Sequence, residues 1–231
     1  DDPISELQLL QLFRARRCDA LFVASCLPAS DDSYRDLQQH GIHVIAIDRE
    51  MDPAHFCSVV SDDHDASQQL TRSLLETHPQ HIALIGARPE LSVSKARASG
   101  FEDALEVFKG AVIIEHGEAL SRDCGLQIAG DMLDRLGYFP DALITTSYVL
   151  LQGVFDLLHA RRLNPDQLHL GTFGDTQLLD FLPLPVNAMA QQHQLIAEKA
   201  LALALSAVEQ DRYEPGVHAI VRTFKQRIHG A

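Results

Sequence analysis

Short apolar runs recur along the chain and alternate with stretches of helical periodicity. The predicted strands are Ala20–Ser25, Val44–Ile47, Cys57–Val60, His81–Gly86, Val112–Ile114, Ala142–Ser147, Leu168–Phe173 and Val186–Ala190. Several are almost continuously apolar, the pattern of strands covered on both faces in a parallel sheet. Val217–Phe224 alternates only weakly and suits a sheet edge. Between the strands, Ser92–Lys109 places Val93, Ala96, Gly100, Ala104 and Phe108 at helical spacing. Ser121 is a predicted N-cap for a helix through Ile128 and Met132 that Gly137 stops. A third helix, Gln191–Val208, buries Leu195, Ile196, Ala200, Leu203, Ala204 and Val208. Alternating strands and helices of this length predict an α/β fold with parallel sheets. The strand number exceeds a small single sheet, so two sheets are expected. The chain opens on a predicted helix, Ile4–Arg17, with no strand before it. A parallel sheet built on that start lacks its first unit, and the expectation is a chain cut from a longer protein.

Composition narrows the function classes. Lys and Arg number 19 against 32 Asp and Glu, a formal charge of −13. So acidic a surface repels phosphate backbones and is not expected to grip nucleic acid itself. No run reaches the ~18–20 apolar residues of a membrane span, and no basic-then-apolar leader is seen after Asp1-Asp2-Pro3. Cys18, Cys26, Cys57 and Cys124 form no Cys-x-x-Cys pair. Cys26 and Cys57 lie in or beside apolar runs, which favours buried free thiols in a reducing compartment, hence the cytoplasm.

Several chemistries have no motif. There is no glycine-rich dinucleotide or nucleoside-triphosphate loop and no Gly-x-Ser-x-Gly elbow. The pairs His40/His43 and His78/His81 adjoin loops, and no carboxylate or cysteine completes a ligand set, so no metal is expected. Asp62-Asp63-His64-Asp65 reads as first-turn carboxylates favoured by the helix dipole rather than as a cation site.

Ligands of open α/β sheets bind beyond the carboxyl ends of the strands. There the sequence sets Asp48 and Arg49, then Ser94 and Arg97 early on a helix, then Ser147, then Phe173 and Asp175, and finally Gln191. Carboxylates, a guanidinium fork, an amide and an aromatic ring suit a small polyhydroxy ligand. Each also has a plainer use. Asp48, Asp175 and Ser147 suit helix caps, Arg49 suits pairing with Asp52, Arg97 suits pairing with Glu90 or Glu102, and Phe173 suits the core.

The same segments carry a resemblance. Arg97-Ala98-Ser99-Gly100-Phe101 resembles the Arg-x-x-Gly-Phe signature of the LacI/GalR regulators and the related periplasmic ribose-type receptors. Ile47-Asp48-Arg49, Thr172-Phe173-Gly174-Asp175 and Pro185 through Gln191 resemble further family segments in the same order. Pro89–Ser94, Thr145–Val154 and Leu178–Leu182 are similar to the fructose-responsive branch, in which Ser147-Tyr148 replaces the usual Asn-Asp.

The resemblance implies two Rossmann-like subdomains of periplasmic-binding-protein type, joined by three crossovers and clamping the ligand between them. One would hold residues 1–60 and 191–218, the other 61–190 and 219–231. It implies fructose 1-phosphate as effector, with fructose 1,6-bisphosphate the weaker possibility, and a sensor rather than an enzyme, without cofactor. The rival readings are a periplasmic-type sugar receptor and, less favoured, a sugar-phosphate enzyme using Asp48 or Asp175 as base. It also implies a homodimer, and an N-terminal helix-turn-helix binding operator DNA that, with the first strand and helix, is outside this chain. Asp48, Arg49, Arg97, Asp175 and Gln191 would contact the sugar; Ser94, Arg97 and their helix N-terminus are candidates for the phosphate.

Overall fold

The computed structural model describes residues 2–16, 18–27, 31–164, 168–182 and 184–227. The chain divides into two compact units, Asp1–Asp62 with Gln192–Val221 and Asp63–Gln191 with Arg222–Ala231. It passes between them three times, one to three residues later at each point than the expected boundaries.

The first unit is a four-stranded sheet. Numbering elements in chain order, it holds β1 (Ala20–Val23), β2 (His43–Ile47), β3 (Cys57–Ser61) and β9 (Gly216–Ile220), in the order β1-β2-β3-β9. All its pairings are parallel. Helices α1 (Pro3–Ala15), α2 (Ser33–Gln39) and α7 (His193–Gln210) belong to it. α1 starts where Asp2 accepts hydrogen bonds from the amides of Ile4 and Ser5, with Pro3 in the first turn. Arg17, its expected end, lies outside the described residues. Leu10, Tyr34, Leu37, Val44 and Phe56 form one apolar cluster, and Ile45, Cys57, Val59, Ile196 and Ala200 another. Adjacent residues Val44 and Ile45 thus face opposite ways, as a strand buried on both faces requires.

The second unit is a six-stranded sheet. Its strands are β4 (His81–Ala87), β5 (Ala111–Gly117), β6 (Ala142–Thr145), β7 (His169–Phe173), β8 (Val186–Ala190) and β10 (Thr223–Lys225). Their order is β10-β8-β7-β6-β4-β5, with only β10 antiparallel. Its helices are α3 (Asp63–Leu75), α4 (Ser92–Ala104), α5 (Arg122–Leu136) and α6 (Tyr148–Ala160). β4, between β6 and the edge strand β5, is covered on both faces: Ile82 and Leu84 join Leu70, Phe101 and Phe173 on one face, while Ala83 and Ile85 join Leu143, Leu150 and Val154 on the other. α5 begins at Ser121, which accepts from the Cys124 amide, and ends at Gly137 in the left-handed region at φ 76°.

Three expectations change. Val217–Phe224 is not one edge strand: β9 pairs parallel with β3, β10 pairs antiparallel with β8, and Val221-Arg222 separates them. The predicted Ser92–Lys109 helix stops at Ala104, since Leu105 leaves the helical path and Phe108 packs beside the core from a loop. The Gln191–Val208 helix starts at His193 and reaches Gln210, leaving Leu195 and Val208 exposed rather than buried. All four cysteines are free, with Cys57 buried.

Candidate functional site

In the second unit, the Arg-x-x-Gly-Phe segment has a physical explanation. Phe101 is fully buried and anchors α4 to the core. Gly100 lets α4 lie against the start of α3: a Cβ there would sit 2.1 Å from the His64 carbonyl oxygen. The Ser67 hydroxyl seals the contact by donating to the Arg97 carbonyl at 2.6 Å. This approach delivers the Arg97 side chain to Asp63, the first residue of α3.

Asp63 is the centre of the arrangement. Its Oδ1 accepts from Arg97 Nε at 2.8 Å and from Arg222 Nε at 3.0 Å. The carboxylate also stands in the first turn of α3, where the helix dipole favours a negative charge. All three side chains are sheltered, with exposures of 4% for Asp63, 11% for Arg97 and 3% for Arg222. Arg97 Nη1 donates to the Thr146 carbonyl at 2.6 Å. Both guanidinium groups stand over the Phe173 ring, at 4.3 Å and 5.4 Å from its centroid. A cation over an aromatic face gains about 0.5–2 kcal/mol, most when desolvated. Ionic, hydrogen-bonding and ring contacts together fix two planar donor groups at the carboxyl end of this sheet, the geometry suited to phosphate or vicinal hydroxyl oxygens.

This placement revises the individual readings. Arg97 pairs with Asp63 rather than with Glu90 or Glu102; Glu90 binds Arg88. Asp63 is more than a first-turn carboxylate, since it joins two arginines. Phe173 is 2% exposed and its face is covered by those arginines, so it is a platform for guanidinium groups, not for a sugar ring. Ser94 is buried and donates to the Ala87 carbonyl at 2.8 Å, which ties α4 to the end of β4. Ser147 caps α6 by accepting from the Val149 amide at 3.3 Å. Asp175 joins Lys225 and, at 2.8 Å, Arg227. Burial would raise the Asp175 pKa, but the hydrogen bonds from Lys225 and Arg227 hold it below the ordinary value. Gln191 follows β8 directly and is half-buried.

The first unit has its own arrangement. Asp48 adopts φ 64°, a left-handed turn that asparagine and aspartate tolerate best among side-chain-bearing residues. Its amide donates to the Val59 carbonyl at 3.0 Å. The turn brings Arg49 Nη1 to the Ser25 carbonyl at 3.1 Å, so Arg49 is anchored at the end of β1. Asp52, its expected partner, binds Arg35 and His55 instead. Ser25 is in turn held by Glu6, which accepts from the Ser25 hydroxyl at 2.6 Å, the Tyr34 hydroxyl at 2.5 Å and the Cys26 amide at 2.8 Å. Burial pushes the Glu6 carboxyl up, and its hydrogen bonds from Cys26, Ser25 and Tyr34 pull it further down, below the ordinary value.

Sequence reasoning missed Glu6, Asp63 and Arg222. Arg222 carried one usable signal: a lone cation between Ile220-Val221 and Thr223-Phe224, in a segment otherwise readable as strand. A separate cavity of about 550 Å³ beside β5 and α5 is lined by Glu115, Glu118, Asp123 and Asp131 among others, an acidic wall ill suited to an anion. Among the described residues no His, Cys, Asp and Glu cluster fits a metal ion.

Comparison with known proteins decides the family. The profile for periplasmic binding proteins and the sugar binding domain of the LacI family matches residues 2–147. The chain belongs to this family. Over 229 residues it is 42% identical to the fructose operon regulatory protein of Vibrio cholerae serotype O1, covering 98% of this chain and 69% of that one. It is 34% identical to the catabolite repressor/activator of Escherichia coli K12, covering 98% and 68%. A crystal structure of the Cra transcriptional dual regulator from Pseudomonas putida in complex with fructose 1-phosphate superposes with a TM-score of 0.95 at 69% identity, covering 98% of this chain and 84% of that one. These relatives are regulatory proteins, and the α/β fold with parallel sheets is shared with the Pseudomonas putida regulator. No helix among the described residues is long and apolar enough to cross a membrane.

Proposed function

We propose that the chain is the effector-sensing core of a cytoplasmic transcription regulator of sugar metabolism, with fructose 1-phosphate as its effector. The observation that carries this reading is the buried Asp63–Arg97–Arg222 cluster over Phe173. It supplies rigid, charged donors of the kind a sugar phosphate needs. The 69% identity to a regulator solved with fructose 1-phosphate supports the choice of ligand. Arg97 is the principal contact of the second unit, with Ser147 and Gln191 beside it at strand ends. Asp48 and Arg49 are the contacts contributed by the first unit. Asp175, whose carboxylate joins Lys225 and Arg227, acts by holding the loop after β7 rather than by reaching the ligand alone.

Operator DNA is bound by a helix-turn-helix outside this chain, and the effector alters that binding by favouring one conformation of a homodimer. A ligand shifts such an equilibrium only through its differential affinity for the two states; a coupling of ~1–3 kcal/mol changes operator affinity about 5–150-fold.

A thermal-shift panel tests the ligand. Fructose 1-phosphate at 100 times its dissociation constant adds about 2.7 kcal/mol, hence roughly 5–10 °C for a chain of this size. Fructose 1,6-bisphosphate is expected to shift it less, and unphosphorylated fructose not at all. Equal shifts with fructose and fructose 1-phosphate would point to a receptor for plain sugars and overturn the assignment.

A further inference from the structure

Thr146, at the carboxyl end of β6, has a feature that packing does not explain. Its Oγ1 is the one buried side-chain nitrogen or oxygen without a hydrogen-bond partner among the described residues. The residue is 2% exposed. Leaving a buried hydroxyl unpaired costs about 1–3 kcal/mol, and folded proteins satisfy the large majority of such groups. The neighbouring Thr145 shows the ordinary solution, since its hydroxyl meets Thr172 across the sheet at 2.9 Å.

The main chain of Thr146 is fully engaged. Its amide donates to the Ile85 carbonyl at 2.9 Å, and its carbonyl accepts Arg97 Nη1. The Thr145–Thr172 pairing, extended by one row, sets Thr146 beside Phe173. By strand alternation Thr146 shares a face with Ile144, which belongs to the Phe101 and Phe173 cluster, the face on which Arg97 stands. On the opposite flank a Cβ at Gly86 would lie 3.4 Å from Thr146 Cγ2. The methyl therefore leans toward Gly86 on the β4 side, while Phe173 and its two guanidinium groups stand on the β7 side of the same strand end.

We infer that Thr146 is a ligand-contacting residue of the second unit, its hydroxyl bonding an oxygen of the sugar phosphate beside the Arg97 guanidinium. The inference rests on the reading of the chain as a sugar-phosphate sensor. It explains why a hydroxyl stands where the fold supplies no partner: binding supplies it. Such a residue sets specificity, because a ligand without an oxygen at that point leaves the hydroxyl unpaired.

Isothermal calorimetry with fructose 1-phosphate on the wild type, Thr146→Val and Thr146→Ser tests it. Valine keeps the shape and removes the hydroxyl; serine keeps the hydroxyl and removes the methyl. The expected result is affinity about ten-fold weaker in T146V, near wild type in T146S, and a ligand-free T146V melting at or above the wild-type temperature. Wild-type affinity in T146V, or equal losses in both variants, would overturn the contact while leaving the sensor reading intact. A wild type that does not bind fructose 1-phosphate would instead bring down the sensor reading itself.

Discussion

Each unit organises its strand ends around one carboxylate, and the two do so with different chemistry. In the first unit Glu6 collects neutral donors, the hydroxyls of Ser25 and Tyr34 and the Cys26 amide. Its product is a shaped loop, whose Ser25 carbonyl then holds Arg49. In the second unit Asp63 collects two guanidinium groups directly. Its product is a pair of cations fixed over an aromatic ring. A carboxylate with neutral donors tolerates loss of charge better than one opposed by buried arginines, because a neutral acceptor still satisfies hydroxyl and amide donors while buried cations are left without a counter-charge.

Removing each hub tests that contrast. Asp63→Ala strands two sheltered guanidinium groups, and breaking such a buried pair costs about 3–5 kcal/mol. Thermal unfolding should show a fall of roughly 10 °C; a fall under about 2 °C would mean that the arginines hold each other's environment without Asp63. Gly100→Ala is next: the added methyl meets the His64 carbonyl, so α4 must retreat from α3. Overpacking of this kind costs about 1–3 kcal/mol, and it should also weaken effector binding, since Arg97 moves with α4.

Glu6→Gln keeps the shape of its hub and loses the charge, with an expected cost of about 1–2 kcal/mol. Its sign with pH follows from the depressed Glu6 carboxyl. A group whose folded pKa lies below its unfolded value contributes stability above the unfolded carboxylate range near pH ~4, and loses it as pH falls through the folded value. Asp175, also depressed, adds in the same sense. Wild-type stability should therefore drop below pH ~4–5, and the gap to E6Q, followed by chemical denaturation, should narrow there. A gap independent of pH would mean that the charge of Glu6 does not stabilise the fold.

The fold was largely legible because its strands are buried on both faces and so spell continuous apolar runs. Strand β8 spans Val186–Ala190 as expected, and the helix from Ser121 to Gly137 announces itself by its caps. The Val217–Phe224 segment was not legible, because a strand that ends and a strand that begins share one weak alternation. The chain's switch of sheets at Val221-Arg222 is a tertiary fact with no local cost to signal it. At the candidate site, Arg97 was legible from its spacing to Gly100 and Phe101. Asp63 was not, since an acidic first helical turn is common for dipole reasons alone. Phe173 was ambiguous between core and site and proves to be both: it is buried, and its ring carries the arginines.

If Arg97 holds the effector, calorimetric titration of fructose 1-phosphate into wild type, Arg97→Ala and Arg97→Lys reads its contribution. The expected result is saturable wild-type binding and an affinity at least about 100-fold weaker in R97A, from the loss of charge-assisted hydrogen bonds. R97K should rescue little, because an ammonium lacks the planar fork. Wild-type affinity in folded R97A would mean that the effector is held without Arg97.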